Sequence, residues 1–125
     1  MTYRSNNQLQ VRLALVMLTL LFITVTVTAQ AANPALIEAA RHQDAEAIRL
    51  LLSGGADPDS RQVDDATALH WAVYREDVDM AALLIEAGAD INSANRLGTS
   101  PLFIAAEAGN AELIERLLEA GADPN

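Results

Sequence analysis

The sequence predicts an all-α solenoid: three stacked helix-turn-helix units joined by hairpin-like loops. Three observations lead to it. The tripeptide Gly-Ala-Asp recurs at residues 55–57, 88–90 and 121–123, a constant step of 33 residues, and a fixed period in this range marks a stacked repeat array. Leu36, Leu69 and Leu102 keep the same register, as do Ala39, Ala72 and Ala105, and Leu51, Leu84 and Leu117. The second half of each period carries apolar residues at i, i+3, i+4 spacing, as expected of helices buried on one side.

The chain opens on a segment of different character. Residues 1–12 (MTYRSNNQLQVR) are polar with two positive charges, and residues 13–28 (LALVMLTLLFITVTVT) are uncharged and apolar apart from threonines. Ala29-Gln30-Ala31 then supplies an A-x-A of small residues. This three-part layout predicts a secretory signal peptide over residues 1–31, cleaved after Ala31. The alternative is an uncleaved anchor, because the uncharged run from Leu13 to Ala32 is about 20 residues, enough to span a bilayer. Either form places the remainder outside the cytoplasm: periplasmic or secreted if cleaved, membrane-anchored and facing the periplasm if not. No cysteine follows the apolar stretch, which argues against a lipoprotein anchor.

The first unit, residues 33–65, is expected to hold helices over 34–42 and 44–53. Asn33-Pro34 opens it with a capping residue followed by a proline, whose missing N–H costs nothing at the first helical position. The second unit, residues 66–98, is expected to hold helices over 68–75 and 77–87, with Thr67 as a side-chain cap. The third, residues 99–125, is expected to hold helices over 101–108 and 110–120, opened by Ser100 and Pro101. Gly55, Gly88 and Gly121 each follow an apolar helix end, where glycine takes a left-handed cap most easily. Gly109 has the same role between the helices of the third unit. Gln43 and Glu76 stand at the equivalent positions, so strain or a shifted turn is expected there. The second helices carry the stripes Ile48, Leu51, Leu52; Met80, Leu83, Leu84; and Leu113, Leu117, Leu118. Alanine pairs (Ala39-Ala40, Ala105-Ala106) let adjacent first helices approach closely. No unit can bury its apolar face alone, so stacking supplies the core.

These residues carry a family resemblance. Thr67-Ala68-Leu69-His70-Trp71-Ala72 and Ser100-Pro101-Leu102-Phe103-Ile104-Ala105-Ala106 resemble the ankyrin T-P-L-H-x-A-A motif, and Leu117 through Asn125 (LLEAGADPN) resembles the ankyrin L-L-x-x-G-A-D-x-N ending. The resemblance covers residues 33–125 and implies an ankyrin-repeat solenoid of the bacterial exported kind. It also implies partner contacts on the concave helix face and the loop tips. The first unit lacks T-P-L-H and looks like an N-terminal capping repeat, with Glu38, Arg41 and Glu46 on a polar outer face. Asp65 stands where the family usually has a loop glycine. No C-terminal cap follows the third G-A-D-x-N, so either the natural chain continues past Asn125 or a partner covers the last helix pair.

Composition narrows the function. Without residues 1–31, six arginines face seventeen acids, a net charge of −11, and such a surface repels nucleic acid and anionic membranes. A membrane role is expected only if the leader stays uncleaved. The chain has no cysteine, hence no disulfides and no Cys-based zinc site. Phosphate-loop, H-E-x-x-H and G-x-S-x-G patterns are missing, so no cofactor, no metal and no catalytic residues are expected. His70 reads as a hydrogen-bonding link between Thr67 and the adjacent loop. His42 follows Glu38 by four residues, two ligands at most, and reads as a helix-end cation. The acids Asp57, Asp59, Asp64 and Asp65 fail the calcium-loop pattern, and Asp57 reads as a turn residue. Trp71 is expected to pack between repeats.

Candidate partner-binding residues are Arg41, His42, Tyr74, Arg75, Glu107 and Ala108 along the concave side, with Gln62, Val63, Ala66, Arg96, Leu97 and Thr99 at the loop tips. The expected function is a non-catalytic protein-protein interaction module, exported from the cytoplasm. The alternative is the N-terminal part of a longer ankyrin array or of a secreted multidomain effector. An enzyme would need a catalytic constellation that the sequence does not offer.

Overall fold

The computed structural model describes residues 10–12 and 34–125. The chain divides into two units, residues 1–31 and 32–125. Of the first unit only residues 10–12 are described; they are helical and exposed. The expected signal segment otherwise lies outside the described residues. Among those residues, no helix is long and apolar enough to cross a membrane.

The second unit contains six helices: α1 (Pro34–Arg41), α2 (Ala45–Ser53), α3 (Ala68–Tyr74), α4 (Val78–Glu86), α5 (Pro101–Ala108) and α6 (Ala111–Glu119). No strand occurs among the described residues. The bounds lie within one or two residues of those expected, the margin within which fraying ends are defined.

Every helix pair is closed by the same chemistry. The N–H of Asp44, Asp77 and Asn110 reaches back to the carbonyl of Ala39, Ala72 and Ala105 at 2.9, 2.9 and 3.1 Å. Between them Gln43, Glu76 and Gly109 take φ of 56°, 55° and 67°. The expected strain at Gln43 and Glu76 is therefore present, without a shifted turn. The second helices end alike: Ala56, Ala89 and Ala122 donate to Leu51, Leu84 and Leu117 across glycines at φ 89°, 90° and 101°. Asp65 adopts φ 63° where Gly98, one period later, adopts 77°. The loop tip thus keeps its geometry without glycine, since aspartate tolerates the left-handed region better than most residues.

Burial shows which way each side chain faces. Leu84, Leu117, Met80 and Leu113 are fully enclosed, while their first-unit equivalents Leu51 and Ala47 are half-buried. These positions face the preceding repeat, and α1 with α2 is the first of the three repeats. Leu51 is therefore not sealed as Leu84 and Leu117 are. Leu36, Leu69, Ile48 and Ala81 face the following unit and are buried, whereas Leu102 and Ile114 in the third unit are half-buried. Phe103 and Leu118, 54% and 43% exposed, extend that open apolar face. At the opposite end Glu38, Arg41 and Glu46 are exposed as a polar first unit requires, yet Ala35, Ala47 and Leu50 line an apolar hollow beside them.

First helices pack closely on first helices, α1 on α3 and α3 on α5, whereas second helices meet more loosely. Ala39, Ala40, Ala72 and Ala105 at the first-helix contacts are small and buried; leucines and Met80 hold the second helices apart. That inequality bends the stack and puts α1, α3 and α5 on its concave side.

Candidate functional site

Three sets of residues on the first helices and at their ends share the 33-residue step: Glu38, Trp71, Ile104; Arg41, Tyr74, Glu107; and His42, Arg75, Ala108. A groove of about 470 Å³ opens among them, walled by Arg41, Trp71, Tyr74, Arg75 and Ile104 on the helix side and by Asp64, Ala66 and Asn95 on the loop side.

The wall is aromatic and guanidinium in character. Trp71 and Tyr74 meet edge to face with ring centroids 5.7 Å apart. The Arg41 guanidinium stands 5.1 Å from the centre of the Trp71 ring, within cation–π range, while also holding Glu38 at 2.9 Å. The Trp71 Nε1–H donates to Gln62 Oε1 at 3.2 Å. Trp71 is thus half-buried: it packs against the core as expected and also presents part of its ring to the groove wall.

His70 anchors the floor. Its Nδ1 accepts the Thr67 N–H at 3.2 Å and lies 2.9 Å from the Thr67 hydroxyl, and its Nε2–H donates to the Thr99 carbonyl at 3.0 Å. The link expected from the sequence is present. Thr67 and His70 together close a capping box at the start of α3, the His70 ring accepting the Thr67 N–H and the Thr67 side chain facing the His70 backbone N–H. Ser100 caps α5, accepting from Phe103 N–H at 3.3 Å, with Pro101 following. Burial pushes the His70 pKa below its ordinary 6.5, against the opposing effect of the Thr99 bond. The Asp64 carboxylate is held below its usual range by the Ala66 N–H first, then by Gln62.

Of the twelve candidate contact residues, Arg41, Ala66, Tyr74 and Arg75 border this groove. Gln62 and Val63 border a neighbouring hollow with Pro34 and Ile37. His42 turns to the other side of α1, beside Ala35 and Leu50, with Nε2 3.6 Å from Glu38. Arg96 straps adjacent loop tips: its backbone N–H donates to the Asp64 carbonyl at 2.8 Å, and its side chain reaches the Val63 carbonyl and Asp65. Leu97 is 89% exposed and Val63 86%. Thr99 serves through its carbonyl, and Glu107 and Ala108 are exposed at the end of α5. Sequence reasoning missed Asp64, Asn95 and Ile104 as walls of the groove. Following the repeat step from Trp71 would have found Ile104; nothing in the sequence pointed to Asn95.

The acidic loop is taken up in structural bonds. Asp57 Oδ1 accepts from Asp59 N–H, and Asp59 Oδ1 accepts from Asp90 N–H of the next unit at 2.6 Å. Among the described residues no group of three or more metal-ligating side chains occurs.

The family described as ankyrin repeats matches residues 25–125, in three copies. The match begins inside the stretch expected to serve export. No curated protein gives a significant match to the chain.

Proposed function

The chain belongs to the ankyrin-repeat family, and from that premise we propose that it is an exported, non-catalytic module that binds another protein through its concave helix face and loop tips. Ankyrin-repeat domains are generally protein-protein interaction modules. One observation carries the reading further: Tyr74, Val63 and Leu97 are 65%, 86% and 89% exposed on the concave side and its fingertips. Large apolar side chains left in water beside a walled groove are what an interface uses as anchors.

Capture of partners from an extracytoplasmic extract tests this. Tyr74→Ala and Arg75→Ala should each reduce capture at least about tenfold, the loss typical of an anchor residue. Glu115→Ala, on the opposite helix layer, should leave it unchanged. Equal capture by all three folded variants rejects the concave face. Export is read separately: a mature N-terminus at Ala32 supports cleavage, and a membrane-bound product that retains residues 1–31 supports the anchor.

A further inference from the structure

Charge is divided unevenly over the repeats. The second helices with their caps carry eight carboxylates against two arginines, Arg49 and Arg116, and the Gly-Ala-Asp turns that follow them add Asp57, Asp90 and Asp123. On the first helices, the turns that end them and the fingertips, Arg41, Arg61, Arg75 and Arg96 nearly offset Glu38, Asp64, Asp65, Glu76 and Glu107. Most of these arginines are engaged. Arg41 holds Glu38, Arg61 reaches the carbonyls of Asp65 and Ala94, and Arg96 holds Asp65. On the back, Arg49 faces Glu46 and Arg116 faces Glu112.

Arg75 differs. Among the arginines of the helix pairs and their loops, residues 34–125, it is the one whose side chain meets neither a carboxylate nor a carbonyl. It borders the groove beside exposed Tyr74 and half-buried Trp71 and Ile104. The one acid on the groove wall, Asp64, already accepts the Ala66 N–H at 3.1 Å. A free guanidinium next to an aromatic and aliphatic wall matches a segment that offers a carboxylate beside a bulky apolar side chain.

Resting on the docking reading above, we infer that the groove takes an acidic–apolar peptide segment of the partner, its Asp or Glu carboxylate on Arg75 and the adjoining apolar side chain against Tyr74, Trp71 and Ile104. Arg41 adds positive charge and braces the indole from the other side. The acidic back opposes this weakly, because charges more than about 8 Å apart are largely screened at physiological ionic strength.

Trp71 is the sole tryptophan, so its emission reports the groove directly. Random linear heptapeptides displayed on phage would be selected on the full chain and, in parallel, on Arg75→Gln, Tyr74→Ala and Arg49→Gln variants. Recovered peptides should place Asp or Glu next to a large apolar residue. Arg75→Gln should lose the acidic bias and keep the apolar one; Tyr74→Ala should weaken the apolar bias; Arg49→Gln should change neither. A synthetic copy of the leading peptide should shift Trp71 emission, and its acid-to-amide version should bind about tenfold more weakly, as for loss of one charge-assisted contact. Peptides that shift Trp71 without acidic bias, or with the same bias on Arg75→Gln, overturn the inference while leaving concave docking standing. Recovery of no peptide that moves Trp71 emission also overturns it, and partner capture then decides the docking reading independently. A single-stranded oligonucleotide that moves Trp71 emission with the same Arg75 dependence would overturn the assignment to a peptide.

Discussion

At the scale of single residues, His70 couples the fold to pH. A proton on Nδ1 would face the Thr67 N–H that this nitrogen now accepts, and burial already disfavours the charged ring. Protonation is harder in the folded protein than in the unfolded chain. The stability that neutral His70 confers is therefore whole above pH 6.5 and is lost as pH falls from there through the lower folded value. Urea unfolding of the wild type should show a lower midpoint at pH 5 than at pH 7.5. His70→Ala should shrink that difference and lower stability at pH 7.5 by about 1–3 kcal/mol, the penalty for orphaned buried partners. Gln43, at φ 56°, argues in the opposite direction. Gln43→Gly should raise stability by up to about 1 kcal/mol, because glycine takes the left-handed region freely; the loss of its exposed 3.4 Å bond to Asp77 offsets little. Both turns were legible in the sequence because Gly109 marks the same position one or two periods later. Trp71 was legible only in part: its packing on the core was expected, but its share of the groove wall depends on which side chains the flanking repeats and loops place around it.

At the scale of elements, each second helix begins with the same device. Asp44, Asp77 and Asn110 accept from the N–H three residues on, at 3.0, 3.0 and 3.1 Å. Asp77→Ala should destabilise the protein by about 1 kcal/mol in chemical denaturation. First helices respond to size instead. Ala72 is fully enclosed on α3, which packs against both α1 and α5. Ala72→Leu should therefore destabilise by about 1–3 kcal/mol through overpacking, a change visible as a lower melting temperature. Helix positions were well specified by capping residues and glycines. The open faces were specified less well. An exposed last helix pair was expected, and Leu118 is 43% exposed there; that Leu51 would be only half-buried was not legible from its apolar stripe.

At the scale of the whole array, neighbouring units stabilise one another unequally from end to end. Leu84→Ala, in the enclosed middle, should lose about 2–5 kcal/mol. Leu51→Ala, the same position half-buried at the open end, should lose clearly less, and comparing the two denaturation midpoints checks the direction of stacking. The bonds between units share one arithmetic. Gln43 meets Asp77, Asp59 meets Asp90, His70 meets Thr99, Glu76 meets Asn110 and Asn92 meets Asp123, each spanning between 29 and 34 residues. A tandem duplication of residues 66–98 would thus hand every newcomer a ready partner on either flank, whereas a single-residue insertion inside a helix would throw all of them out of step. Genes for such a molecule can lengthen by copying whole modules, and the docking surface would widen by one rung with each copy.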